Sequence, residues 1–104
     1  MENLRLDEEE SMGYTLKALS AAVWCLYHVD NFRDGLVAVV NAGGDADTNA
    51  AVACSVLGAK YGFESIPTDY VDNLCHKDVL KEISEDLYQL CALWQERKLP
   101  AMEE

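Results

Sequence analysis

From residue 14 to residue 61 the chain is a succession of apolar and small residues at helical spacing, broken inside by the pair Gly43 and Gly44. So much alanine predicts helices that pack closely, and on more than one side. The stretch YTLKALSAAVWCLYHV, residues 14–29, sets Leu16, Leu19, Val23, Leu26 and Tyr27 at spacings of three and four. Asp30 or Asn31 can cap a second helix over 32–41, with Phe32, Leu36, Val39 and Val40 inward. A third helix starts near Asp45–Asp47 and runs to Tyr61. It is apolar nearly all round, as a buried central helix would be. Gly62 fits a left-handed stop, and Pro67 can open a short helix over 67–74.

The last helix is expected over 76–98. Val79, Leu80, Ile83, Leu87, Leu90, Cys91 and Trp94 form one stripe, with Lys77, Lys81, Glu82, Glu85, Asp86, Gln95 and Lys98 opposite. That one-sided pattern suits a helix covering the outside of a bundle, ended by Pro100. No stretch reads as a strand. The expected fold is all-α, a compact bundle of about four to five helices. Residues 1–11 read as an acidic flexible tail, 12–99 as a single helical domain and 100–104 as a second tail.

Half of the 104 residues are apolar and 26% are charged, which excludes bulk disorder and supports one core. Nineteen acids against eight bases give a net charge of −11. The acid is concentrated at the ends: residues 1–11 carry −4, 12–62 carry −1 and 63–104 carry −6. Without a basic stripe, binding to nucleic acid or to an anionic membrane is not expected. The start, MENLRLDEEE, lacks the basic and apolar regions of a signal peptide, so a cytoplasmic protein is expected. Cys25, Cys54, Cys75 and Cys91 form no C-x-x-C pair. Buried reduced thiols are a simpler reading than a disulfide or zinc framework.

The chemistry-bearing segment is the hexapeptide GGDADT, residues 43–48. Two glycines, two carboxylates one residue apart and a hydroxyl lead directly into an apolar helix. On spacing alone the simplest reading is capping, since Asp and Thr accept hydrogen bonds from the free N–H groups of a helix start. The other reading is a hard-cation site. Asp45, Asp47 and Thr48 could offer three oxygens to a divalent ion, short of the six it prefers.

The longer stretch NAGGDADTNAAVACSVLGAKYG resembles the C-terminal signature of the ADP-ribosylglycohydrolase family, a GGD-x-DT turn followed by an alanine-rich helix ending LGA-x-YG. The preceding GYTLKALSAAVWCLYHVDNFRDGLVAVVNAGGD is similar to the family's two helices before that turn, and IPTDYVDNL to its Ile-Pro segment after it. The resemblance covers residues 13–74 and turns the preference toward the metal reading. It implies the C-terminal part of an all-α fold that holds two Mg²⁺ or Mn²⁺ ions. That fold hydrolyses the bond between ADP-ribose and a protein side chain or small acceptor. Asp45, Asp47 and Thr48 would be metal ligands, with Asp47 bridging. Gly43 and Gly44 would let the backbone pass close to the metals and the ADP-ribose.

The family's chains are far longer and carry further ligands in their N-terminal half, including a Thr-Asp-Asp cluster absent here. Thr68 and Asp69 lie after the motif, and the acids at 7–10 lie in a different context. The resemblance therefore implies half of a binuclear site, incomplete without a partner chain or the missing N-terminal part. Whether such a chain is an enzyme is left open. The alternative is a non-catalytic module that binds metal or ADP-ribose, or regulates a longer homologue; a helical bundle that binds nothing is the third reading. Apolar helices 14–29 and 46–61 predict a homodimer or a complementary chain meeting them. His28, three residues after Cys25, reads as a partly buried neutral histidine, and Cys75 with His76 as a helix start.

Overall fold

The computed structural model describes residues 1–102, with side chains through Arg97. Every regular element among them is helical, in agreement with the all-α expectation. Short 3-10 turns at Glu2–Leu4 and Glu9–Ser11 precede α1 (Thr15–His28), α2 (Phe32–Asn41) and α3 (Ala46–Tyr61). A third turn, Phe63–Ser65, leads to α4 (Thr68–Asp72) and α5 (Lys77–Met102). The chain divides into two compact units, Met1–Thr68 and Asp69–Glu104.

In the first unit α1 and α2 both pack on α3. The face of α1 that meets this core is its small one. Ala18, Ala21, Ala22 and Cys25 are buried, and so are Ala50, Ala53 and Leu57 of α3. The larger stripe that the periodicity singled out, Leu16, Leu19, Val23 and Tyr27, is exposed. Small side chains let two helices approach more closely than leucines would, and that closeness selects the alanine face. On α2, Phe32 and Val39 are buried, but Val40 is exposed, contrary to expectation. Gly35 is buried because Leu57 occupies the space where a side chain would stand, with a Val29 methyl also close. The expectation that α3 is buried all round is likewise corrected. Asn49, Ala50, Ala53 and Leu57 face inward, while Ala51, Val52 and Ala59 lie on its exposed side.

The helix ends are set by local chemistry. Asn31 caps α2, its Oδ1 accepting from the Asp34 N–H at 2.9 Å. The last carbonyls of α1 take donors from α3: Lys60 Nζ donates to Leu26 O at 3.0 Å, and Tyr61 Oη to Val29 O at 2.9 Å. His28 is exposed rather than partly buried, stacked on Trp24 with ring centroids 4.6 Å apart, and its Nδ1 lies 2.9 Å from Trp24 O. Only Cys25 is a buried thiol. Cys54 is half-buried, Cys75 and Cys91 are exposed, and all four are free. Burial pushes the Cys25 and Cys54 thiols up.

Residues 1–11, expected as a flexible acidic tail, carry two turns and seat Leu6 at 2% exposure. In the second unit, α5 runs through Pro100 to Met102, so the expected stop at 98 is not observed. Its stripe of Val79, Leu80, Ile83, Leu87, Leu90 and Trp94 is exposed.

Leu57 of α3 is fully buried and fills the space beside Gly35 of α2. Leu57→Ala should lower unfolding stability by about 2–5 kcal/mol in a urea titration, whereas Leu19→Ala, on the exposed stripe, should change it by less than about 0.5 kcal/mol.

Candidate metal centre

The GGDADT turn joins α2 to α3. Helix α2 releases the chain at Ala42, whose N–H still donates to Ala38 O and Val39 O at 3.2 Å. Gly43 and Gly44 then take φ of +76° and +69°, a region that costs an L side chain about 1–2 kcal/mol. They reverse the chain within two residues and deliver Asp45 to the start of α3. Asp45 is the N-cap of α3 by backbone position, its carbonyl accepting from the Asn49 N–H at 2.9 Å.

The Asp45 side chain, however, caps nothing. The capping alternative for this residue therefore fails. Its carboxyl instead stands beside that of Asp47. Hydrogen bonding from Asp45, then from the backbone N–H groups of Thr48 and of Asp47 itself, holds the Asp47 carboxyl below the usual carboxylate range. The Thr48 N–H donates to Asp47 Oδ1 at 2.9 Å. Asp47 and Thr48 are exposed and Asp45 is half-buried, so both carboxyls and the hydroxyl are open to solute. The next residue, Asn49, is 3% exposed, the one buried polar residue among those described.

Two carboxylates and a hydroxyl at one helix start make a donor set of the kind hard cations take, and they supply only part of a six-oxygen shell. Among the described residues, no group of three His, Cys, Asp or Glu is placed to hold a metal ion.

The N-terminal segment, which the sequence reading set aside, lies against this turn. A Cβ added to Gly44 would overlap the carbonyl of Leu6, and one on Gly43 would stand 3.6 Å from the Asp7 Cβ. One on Gly13 would stand 3.6 Å from Asp45 Oδ2. The segment is held to α1 by Lys17, whose Nζ donates to the Arg5 carbonyl and to Glu8 Oε2, the latter at 3.3 Å. Lys17 and Ser11 hold the Glu8 carboxyl below its ordinary range. The clues in the sequence were slight: one leucine set among acids, one lysine in an otherwise uncharged helix, and a glycine just ahead of it.

The chain matches the ADP-ribosylglycohydrolase family over residues 1–97. It is 36% identical over 84 residues to the ADP-ribosylarginine hydrolase Tri1 of Serratia proteamaculans, covering 81% of this chain and 23% of that protein. It is 30% identical over 82 residues to the protein of that name from Pseudomonas putida, covering 79% and 22%. With the ADP-ribosyl-[dinitrogen reductase] glycohydrolase of Rhodospirillum rubrum it shares 34% identity over 84 residues, covering 81% and 28%. The chain thus spans about a quarter of the length of the curated relatives it matches. No solved structure matches it.

The two glycines should respond differently to substitution. Gly43→Ala has room at ordinary contact distance and should cost only the positive-φ penalty, about 1–2 kcal/mol. Gly44→Ala meets backbone that cannot rotate aside, so it should cost clearly more in the same denaturation experiment and shift the amide resonances of Leu6 and Asp7.

Proposed function

The chain belongs to the ADP-ribosylglycohydrolase family, and on that premise we propose that its GGDADT turn is one half of a Mg²⁺ or Mn²⁺ site for hydrolysis of ADP-ribose from a protein or small acceptor. The observation that carries this reading is the use of the two carboxyls. Asp45 caps no helix N–H, and it stands beside Asp47 at a solvent-open turn. Two carboxyls side by side at one turn offer a divalent cation oxygen donors of the kind it prefers. Asp45, Asp47 and the Thr48 hydroxyl would hold the ion, with Asp47 as the shared ligand.

When bound, the metal supplies Lewis acidity and a means of orienting water. The chain's own residues supply the frame. Asp45 and Asp47 bring the negative charge that offsets the positive end of α3, which by itself disfavours a cation. The Thr48 N–H holds Asp47 Oδ1 at 2.9 Å and fixes which way the other oxygen turns. Gly43 and Gly44 would let the backbone pass close to the metals and the ADP-ribose only on the side that Leu6 and Asp7 leave open.

The remaining oxygens come from water, substrate and polypeptide beyond this set. Since the curated relatives are about four times as long as the matched region, completion by a partner chain or by the missing N-terminal part is part of the proposal. The exposed Leu16, Leu19, Val23 and Tyr27 on α1 support such a neighbour.

Calorimetric titration with Mn²⁺, with and without ADP-ribose, tests the reading. The wild-type chain should give binding heat that an Asp45→Ala, Asp47→Ala double variant lacks. Absence of heat from the wild type at millimolar metal, in both conditions, would reduce the turn to a helix start with unused carboxyls.

A further inference from the structure

We propose that residues 5–13 form a strap that sets the geometry of the GGDADT turn, and that Lys17 is the positioning residue that holds it; this rests on the metal reading of that turn. The two ends of the strap meet adjacent residues of the turn. At one end the Leu6 carbonyl abuts Gly44, so closely that no side chain fits between them. At the other end Gly13, with φ of +84°, approaches the Asp45 carboxyl. The strap therefore touches the turn twice, at the Gly44 backbone and near the Asp45 carboxyl.

The strap has its own internal order. The Glu8 N–H donates to Arg5 O at 3.3 Å, Ser11 Oγ to Glu8 Oε2 at 3.1 Å, and the Tyr14 N–H to Ser11 O at 3.0 Å. Leu6 anchors it in the core. Such local bonds within an exposed loop of four acids would not by themselves hold it in one place against water. Lys17 adds the fixed point. Its side chain is 13% exposed, and its ammonium group bridges the Arg5 carbonyl, one residue before Leu6, to the Glu8 carboxylate. A charge-assisted hydrogen bond is stronger than one between neutral groups. The clip thus links α1 to Leu6, Leu6 to Gly44, and Gly44 to the first carboxylate of the site.

A residue that positions a ligand from outside the coordination shell typically changes metal affinity by about 10- to 100-fold when removed. In the full chain, well below its melting temperature, Lys17→Met should weaken Mn²⁺ binding about tenfold. It should also speed amide exchange at residues 43–48. Lys17→Arg, which keeps a charged donor, should recover most of both. Glu8→Gln, which leaves the bond to the Arg5 carbonyl, should weaken binding only about twofold, and it serves if the methionine variant does not fold. A folded Lys17→Met with wild-type affinity and wild-type exchange would overturn the proposal. So would a Lys17→Arg variant as weak as Lys17→Met, because the loss would then follow side-chain shape rather than the clip. A wild-type chain that takes up no Mn²⁺ would sink the metal reading instead, while the exchange measurement, which needs no metal, still judges the strap.

Discussion

The close contact between α1 and α3 is the constraint from which the rest follows. Four small residues on α1 and two alanines with Leu57 on α3 form a seam with little side-chain depth. Helices in such a seam lie near enough for the end of one to serve the other. Lys60 and Tyr61 of α3 reach the carbonyls that α1 leaves without partners, and the Cys25 thiol lies 3.9 Å from the Gly35 carbonyl across the seam to α2. At the opposite end, the same proximity brings the start of α3 beside the segment that precedes α1. A bulkier seam would separate the two, and the GGDADT turn would lose its neighbour.

That neighbour gives the glycines their meaning. In isolation Gly43 and Gly44 look like an opening for a ligand. In the fold, Gly44 is required by the chain itself, because the Leu6 carbonyl occupies the space a side chain would need. The Asp45 carboxyl lies near Gly13 of the same segment, while Asp47 is exposed. Asp45 and Asp47 then stand side by side at moderate exposure. Hydrogen bonding from Asp45 and from the Thr48 and Asp47 N–H groups holds the Asp47 carboxyl below the usual carboxylate range. Two carboxyls at an open turn are the oxygen donors that the proposed divalent cation would take. The chain's match to the ADP-ribosylglycohydrolase family extends over residues 1–97 and includes this turn.

Much of the fold was legible in the sequence, for local reasons. The bounds of α2 follow from Asn31 at one end and the glycine pair at the other, and the structure returns Phe32–Asn41. The start of α3 follows from Asp45. Which face is buried was not legible. Helix α1 has two apolar stripes, and periodicity weights leucine above alanine, although the alanine stripe makes the seam. The exposed sides of α1 and α3 were hidden for the same reason. Pro100 failed as a stop because loss of one donor near a helix end is a weak signal against an otherwise favourable run. The strap was missed because its composition is that of a solvated tail, and a single buried leucine gives no period. The candidate ligands were legible only through the longer motif around them, since two aspartates one residue apart are common at helix starts.

Paramagnetic relaxation from bound Mn²⁺ tests the central claim most directly, because it locates the ion rather than merely detecting it. In a spectrum of the labelled chain, substoichiometric Mn²⁺ should broaden the amide signals of residues 43–49 first, together with Asp7 and Gly13 from the strap. Broadening that begins instead at the acids of α5, or spreads evenly over the acidic surface, would mean that the ion follows net charge, and the account of a built half-site at the GGDADT turn would be wrong.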